Sequence, residues 1–208
     1  MKYQKALAAV ALVFLSMSVN AAVVVLMGQS NAARLYESGA VQRLFKNDQV
    51  VNCGHRGQKV ETFLPSEDKG SYYRSCVDAV AGRRVRAVVW WQGESDSQLA
   101  QDADAWKPRF KRVMSSFLKE VGTRGTKLVV MTLKQSDPKL LAHFPQWDSV
   151  RMQQKSVPGI KIDTSGYSYR YDEGGINLEG VSLHCDGGGY RRAAAGIAKR
   201  IVNAERNI

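Results

Sequence analysis

The hydrophobic pattern of the chain predicts five strands that alternate with helices. Strand candidates occupy residues 23–27, 49–53, 85–91, 127–133 and 160–164, and the first is a short apolar run typical of a strand buried in a parallel sheet. Amphipathic or loosely helical stretches occupy residues 31–45, 71–81, 104–121, 145–157 and 189–203. This alternation favours an α/β fold with three α/β/α layers and a central, mostly parallel five-stranded sheet.

The longest amphipathic stretch, residues 104–121, has apolar side chains at spacings of three and four, namely Trp106, Phe110, Val113, Phe117 and Val121. Pro108 lies within it, and a proline fits a helix only in the first turn. The pattern therefore predicts a helix that begins close to residue 104. Residues 165–185 are glycine-rich and are predicted to be irregular.

The chain is predicted to form one domain behind a cleaved leader. Lys2 and Lys5 make a basic start, residues 6–19 are apolar, and Val19-Asn20-Ala21 is a small-residue cleavage pattern. The apolar run is short for a membrane-spanning helix, so a signal peptide over residues 1–21 is favoured over an uncleaved anchor. Residues 22–208 show no repeat or linker and suit a single domain. We expect an exported protein, periplasmic or secreted, without stable membrane insertion after cleavage.

The cysteines and histidines favour an oxidising compartment over a metal site. Cys53 and Cys76 form one candidate disulfide that leaves Cys185 unpaired, and the other pairings stay open. The chain has no Cys-x-x-Cys pair, and its three histidines lack the spacing of metal ligands. We predict no metal.

The charge of the chain is strongly positive. The formal net charge is +11, and it falls to +9 when Lys2 and Lys5 leave with residues 1–21, which contain no acidic residue. Such a charge suits nucleic acid, an anionic membrane surface or acidic glycans. Export argues against nucleic acid, and a basic surface without a specific partner is the alternative.

Polar residues follow two of the predicted strands directly. Gly28-Gln29-Ser30-Asn31 ends the first strand, and Gln92-Gly93-Glu94-Ser95-Asp96 ends the third. Ligands and catalytic groups collect at the carboxyl ends of parallel strands, so Ser30 is a candidate nucleophile. The alternative is a turn that only begins the next helix. Ala32 breaks the Gly-x-Ser-x-Gly pattern, which argues against the α/β-hydrolase fold.

These two segments resemble signature segments of the SGNH (GDSL-like) hydrolases, specifically the sialic-acid O-acetylesterase and carbohydrate esterase family 6 branch. Three weaker segments follow the order of that family, at residues 56–61, 147–153 and 183–190. The resemblance covers nearly the whole chain after residue 21. It implies a flavodoxin-like SGNH hydrolase fold and an esterase that needs no cofactor.

Carried over residue by residue, the resemblance implies that Ser30 is the nucleophile and His184 the general base and later the general acid. The backbone N–H groups of Ser30 and Gly57 and the side-chain amide of Gln92 would hold the oxyanion of the tetrahedral intermediate. We assign two neighbouring residues, Asn31 and Trp91, to substrate binding.

One position departs from the family pattern. Most of the superfamily has an aspartate three residues before the histidine, and this chain has Val181 there. A valine cannot accept a hydrogen bond from the imidazole, so another carboxylate must complete a triad. We favour Glu94, and Asp186 and Glu179 remain alternatives.

The sequence thus predicts a serine esterase that removes acetyl or other short acyl groups from carbohydrate through an acyl-enzyme intermediate. The positive charge makes an acidic glycan one candidate substrate. Two alternatives stay open. One is a non-catalytic carbohydrate-binding protein on a degenerate esterase scaffold, and the other is a lipid or thioester hydrolase or an acyltransferase that uses the same triad.

Overall fold

The computed structural model describes residues 21–170 and 181–207. Its main sheet has five strands, all parallel, in the order β2-β1-β3-β4-β5. The strands are β1 (Val23–Gly28), β2 (Gln49–Gly54), β3 (Val85–Trp91), β4 (Lys127–Thr132) and β5 (Ile160–Asp163). The predicted five-stranded α/β sheet is therefore confirmed.

Seven α-helices are present in the described part of the chain. They are α1 (Ser30–Glu37), α2 (Ala40–Leu44), α3 (Tyr72–Val80), α4 (Ala100–Val121), α5 (Pro138–His143), α6 (Trp147–Ser156) and α7 (Gly187–Arg206). Two 3-10 turns, Val60–Phe63 and Ser95–Gln98, lie near the carboxyl ends of β2 and β3.

The helices cover both faces of the sheet. Alternate residues of β1 face opposite sides, so Val25 packs with α3, α4 and α6, whereas Val24 packs with α1, α2 and α7. Burial on both faces explains why the central strand β1 has a continuous apolar run rather than an alternating one. The three α/β/α layers leave the loops at the carboxyl edge of the sheet to form the site.

The helix predicted from residue 104 begins earlier than expected. Helix α4 starts at Ala100, so Pro108 lies inside the helix, and its predicted place in the first turn is wrong. Pro108 and Asp104 are both exposed. The carbonyl that loses its N–H partner therefore faces solvent, where water can satisfy it. The five predicted apolar residues of this helix are all buried, which holds the helix through the proline.

One short helix and two short strands were not predicted. Helix α5 is capped by the Asp137 side chain, which accepts a hydrogen bond from the N–H of Leu140 at 2.9 Å. In the stretch predicted to be irregular, β6 (Tyr169–Arg170) and β7 (His184–Cys185) pair as an antiparallel ribbon.

Cys53 and Cys76 form a disulfide that ties the end of β2 to α3, and Cys185 is a buried free thiol. Within residues 21–170 and 181–207, no helix has both the length and the hydropathy that crossing a membrane requires. Residues 1–20 lie outside the described part of the chain, so the signal peptide and the 22–208 domain boundary stay predictions.

Candidate active site

Ser30 lies at the carboxyl edge of the sheet, where β1 turns into α1. The N–H of Gln29 donates to the carbonyl of Trp91 at 2.9 Å, which ties the turn to the end of β3. Gly28 has a φ of 133°, and a Cβ there would lie 2.1 Å from the Trp91 carbonyl oxygen. Only glycine permits this close approach of β1 to β3. Ser30 is then the first residue of α1.

The structure brings Ser30 and His184 into hydrogen-bond contact. His184 Nε2 lies 2.7 Å from Ser30 Oγ, although the two residues are 154 positions apart in the sequence. His184 is half-buried on β7, and Ser30 is 7% exposed. A serine hydroxyl becomes a nucleophile when a base within this distance takes its proton. Two of the predicted site residues therefore have the geometry that their predicted roles require.

Asn31 is buried in a network of protein partners. Its Nδ2 donates to Glu94 Oε1 at 2.8 Å and to the carbonyl oxygen of Leu183 at 2.9 Å. Its Oδ1 accepts from the backbone N–H of Cys185 at 3.3 Å and from the Tyr190 hydroxyl at 3.0 Å. Every hydrogen-bonding position of the amide is used. This arrangement differs from the substrate-binding role predicted for Asn31, which needs a free amide.

Glu94 also has a different partner from the predicted one. Its carboxylate accepts from Asn31 through Oε1, and Oε2 has no hydrogen-bond partner among the described residues. No hydrogen bond joins Glu94 to His184, both of which the structure describes. Burial raises the pKa of Glu94 to about 7, because the charged form loses its hydration.

Neither alternative carboxylate is hydrogen-bonded to His184 among the described residues. Asp186 caps α7, where its Oδ1 accepts from the N–H of Gly189 at 2.7 Å and from the hydroxyl of Ser168 at 2.6 Å. These hydrogen bonds, led by the one from Ser168, lower the pKa of Asp186. Glu179 lies outside the described residues. The carboxylate that would act behind His184 therefore stays a prediction.

The Gln92 side chain is completely buried at the end of β3. Its Nε2 donates to the carboxylate of Asp96 and to the carbonyl of Gln58 at 3.3 Å, and its Oε1 accepts from Trp106 Nε1 at 2.8 Å. Burial raises the pKa of Asp96 to about 6, although the hydrogen bond from Gln92 acts in the opposite direction. An oxyanion donor needs an N–H directed at the substrate. In this structure the amide of Gln92 is directed into the protein instead.

The backbone N–H groups of Ser30 and Gly57, predicted to hold the oxyanion, differ from the Gln92 amide, because they have no protein acceptor among the described residues. Gly57 is exposed in the loop after β2 and has a φ of 71°, a conformation that favours glycine. Neither N–H group is bound to a described protein acceptor, and the role predicted for both stays a prediction.

Trp91 does not provide a surface for a sugar. Its side chain is 1% exposed and packs edge-on against the rings of Tyr167 and Tyr190, at centroid distances of 6.4 and 6.1 Å. Strand β3 is central and covered on both faces, which explains this burial. The substrate-binding role predicted for Trp91 does not fit this position.

Gln29 is a residue of the site that the sequence reasoning missed. Its Oε1 accepts from the backbone N–H groups of Gly93 at 3.2 Å and Ser95 at 3.3 Å, so it ties the turn after β1 to the turn after β3. Its position between Gly28 and Ser30, at the end of the first strand, was the sequence feature that could have identified it as a site residue. The sequence could not show which way the side chain points.

Within the described residues, no three or more His, Cys, Asp or Glu side chains lie where they could hold a metal ion together.

Comparison with known protein families gives a match across most of the chain. The family model described as carbohydrate esterase, sialic acid-specific acetylesterase, matches residues 38–202. No curated protein sequence matches the chain significantly.

Solved structures share the fold at low sequence identity. NanS is 11% identical, with 91% of this chain and 99% of that one covered and a TM-score of 0.65. A candidate SGNH hydrolase from Slackia heliotrinireducens is 16% identical, with coverage of 86% and 98% and a TM-score of 0.61. A catalytic mutant of Axe2, an acetylxylan esterase from Geobacillus stearothermophilus, is 13% identical, with coverage of 88% and 96% and a TM-score of 0.55. These likenesses show the SGNH hydrolase fold.

Proposed function

The chain belongs to the carbohydrate esterase family of sialic acid-specific acetylesterases, and we propose that it is a serine esterase that removes acetyl or other short acyl groups from carbohydrate. The observation that carries this proposal is the 2.7 Å hydrogen bond between His184 Nε2 and Ser30 Oγ at the carboxyl edge of the sheet. That bond joins a nucleophile to a base in the geometry of acyl transfer.

The proposed reaction has two steps. Ser30 Oγ attacks the carbonyl carbon of the ester while His184 accepts the serine proton. The backbone N–H groups of Ser30 and Gly57 stabilise the oxyanion of the tetrahedral intermediate. The C–O bond to the sugar then breaks, and the sugar hydroxyl leaves with the proton from His184. Water attacks the acyl-enzyme with His184 as base, and the acid and free Ser30 are released.

Acetate release and covalent labelling test this function together. We expect the protein to hydrolyse p-nitrophenyl acetate and to release acetate from O-acetylated sugars. We expect a fluorophosphonate reagent to block both activities when one equivalent has bound, with the label on Ser30, because the activated hydroxyl attacks phosphorus as it attacks an ester. Mass spectrometry of the labelled peptides identifies the residue.

Three outcomes would contradict the proposal. Binding of acetylated sugar without acetate release would indicate a carbohydrate-binding protein. Faster turnover of p-nitrophenyl palmitate or of an acyl thioester than of acetyl esters would indicate the lipid or thioester alternative. Labelling of a serine other than Ser30 would show that a different serine is the nucleophile.

The acidic-glycan substrate is a further part of the proposal, supported by the net charge of +9 that remains when Lys2 and Lys5 leave the +11 chain with residues 1–21. Charge steering accelerates encounter with an acidic partner and weakens as salt screens the field. We therefore expect kcat/KM for an acidic acetylated glycan to fall as NaCl rises from 20 to 500 mM, concentrations chosen to span Debye lengths from about 20 to about 4 Å. A neutral acetylated sugar is the control and should change little. Equal salt dependence for both substrates would remove the acidic glycan from the proposal.

We also propose that the protein acts outside the cytoplasm, after loss of residues 1–21. Amino-terminal sequencing of the exported protein should begin near Ala22, and an intact leader on the mature protein would contradict this.

A further inference from the structure

The side chain of Asn31 holds the backbone on both sides of His184. Its Nδ2 donates to the carbonyl of Leu183 at 2.9 Å, and its Oδ1 accepts from the N–H of Cys185 at 3.3 Å. Asn31 also directly follows Ser30 in α1. One residue therefore links the backbone of the nucleophile to the backbone of the base, across 154 positions of sequence.

Glu94 acts with the backbone of Leu183 and Cys185 in setting which end of the Asn31 amide faces which partner. Oε1 of Glu94 accepts a hydrogen bond whether the carboxyl is charged or carries its proton on the unpartnered Oε2, so it selects the Nδ2 end of the amide. The Tyr190 hydroxyl donates to Oδ1 at the other end. With the amide reversed, Oδ1 would face the acceptors Glu94 Oε1 and Leu183 O, and both backbone contacts beside His184 would be lost.

We propose that Glu94 is a positioning residue that acts through Asn31. Its hydrogen bond fixes the orientation of the Asn31 amide, which is hydrogen-bonded to the backbone of Leu183 and Cys185. The amide in turn holds His184 at the distance from Ser30 that proton transfer needs. This inference rests on the proposed esterase function. In this role the buried Glu94 needs an oxygen that accepts a hydrogen bond from Asn31, and it needs no contact with the His184 imidazole. Misplacing a catalytic group by about 1 Å can lower a rate about a hundredfold.

This proposal and a direct triad role for Glu94 predict different effects of the same substitution. A carboxylate that contacts the imidazole stabilises its charged form. In a Ser-His-Asp protease, replacing that carboxylate by an amide lowers kcat by about 10⁴-fold. A positioning acceptor can be replaced by the acceptor oxygen of glutamine. Glutamine also suits this site because burial disfavours the charged form of Glu94.

The test compares variants of the full chain in p-nitrophenyl acetate hydrolysis. We expect Glu94→Gln to keep kcat within about threefold of wild type, with an unchanged pH profile of kcat/KM, because the hydrogen bond to Asn31 remains. We expect Glu94→Ala and Asn31→Ala to lower kcat by roughly a hundredfold with little change in KM. The double variant should be no slower than Asn31→Ala, because both substitutions break the same connection.

Thr126→Val is the control for stability. Thr126 Oγ1 donates to the Val85 carbonyl at 2.7 Å, at the amino end of β3, far along the sheet from Ser30. Its loss should lower the melting temperature and leave kcat unchanged. The imidazole NMR signals of His184 give a second readout that does not depend on activity, and we expect them to move in Glu94→Ala and to stay in place in Glu94→Gln.

A drop of a thousandfold or more in Glu94→Gln, with a displaced pH profile, would overturn the proposal in favour of direct action on His184. Additive losses in the double variant would overturn it as well, as would His184 signals that are identical in Glu94→Ala and wild type. Failure of the esterase function is distinguishable, because the wild-type protein would then release no acetate whatever the NMR signals show.

Discussion

Replacing Ser30 by alanine, or His184 by glutamine, is expected to lower kcat for acetyl-ester hydrolysis by about 10⁴-fold or more. Alanine has no nucleophile, and glutamine cannot take the serine proton across the 2.7 Å that separates Nε2 from Oγ. The two groups act as one unit. The double variant should therefore be no slower than either single variant. Steady-state hydrolysis of p-nitrophenyl acetate measures all three.

Two exposed residues of the same types provide matched controls. Ser115 lies on the solvent side of α4, and His143 is the last residue of α5. Ser115→Ala and His143→Gln should retain wild-type kcat, because neither residue touches the site. If Ser30→Ala kept more than about a tenth of the activity, the nucleophile would be another group.

Strand β1 was predictable because it is buried on both faces. Strand β1 has six buried residues in succession, and such a run has no other common explanation at this length. Helix α5 was not predictable from periodicity, because it has six residues and buries only Leu140. Its signal was local, an aspartate cap followed by Pro138 in the first turn.

The candidate site was predictable in position and less so in orientation. Ser30 and Glu94 follow strand ends, and parallel strands bring these ends to one edge. The direction of a side chain beyond a strand end no longer follows the alternation of the strand. Gly93, with a φ of 145°, directly precedes Glu94, whose Oε1 accepts from Asn31 Nδ2. The glycine indicates a turn, but the order of residues does not show where the Glu94 carboxylate points beyond it.

The same limit applies to Asn31, Trp91 and Gln92. Each lies within or next to a signature segment, where family resemblance assigns a role to the position. The structure shows each of them buried, with protein partners for its polar groups or its ring. A motif of polar residues can thus be needed to hold a site together as well as to contact the substrate, and sequence alone does not separate these two uses.

Gly28→Ala is expected to destabilise the protein by at least about 3 kcal/mol and to abolish activity in the fraction that folds. The new Cβ would lie 2.1 Å from the Trp91 carbonyl oxygen, which is backbone of the central strand and cannot turn away as a side chain can. The φ of 133° adds strain, because residues with a Cβ rarely adopt it. Relief requires β1 to move away from β3, and that movement carries Ser30 away from His184. Urea denaturation and p-nitrophenyl acetate hydrolysis measure the two effects.

Gly82→Ala separates the strain at positive φ from the steric overlap with Trp91. Gly82 has a φ of 72°, and a Cβ there would meet nothing within 4 Å. Its replacement should cost only the left-handed conformation, about 1–2 kcal/mol, and should leave kcat unchanged. Equal losses of stability in the two variants would mean that the contact between Gly28 and Trp91 is not what fixes the turn. A larger loss at Gly28, together with lost activity, would show that the spacing between β1 and β3 sets the position of Ser30.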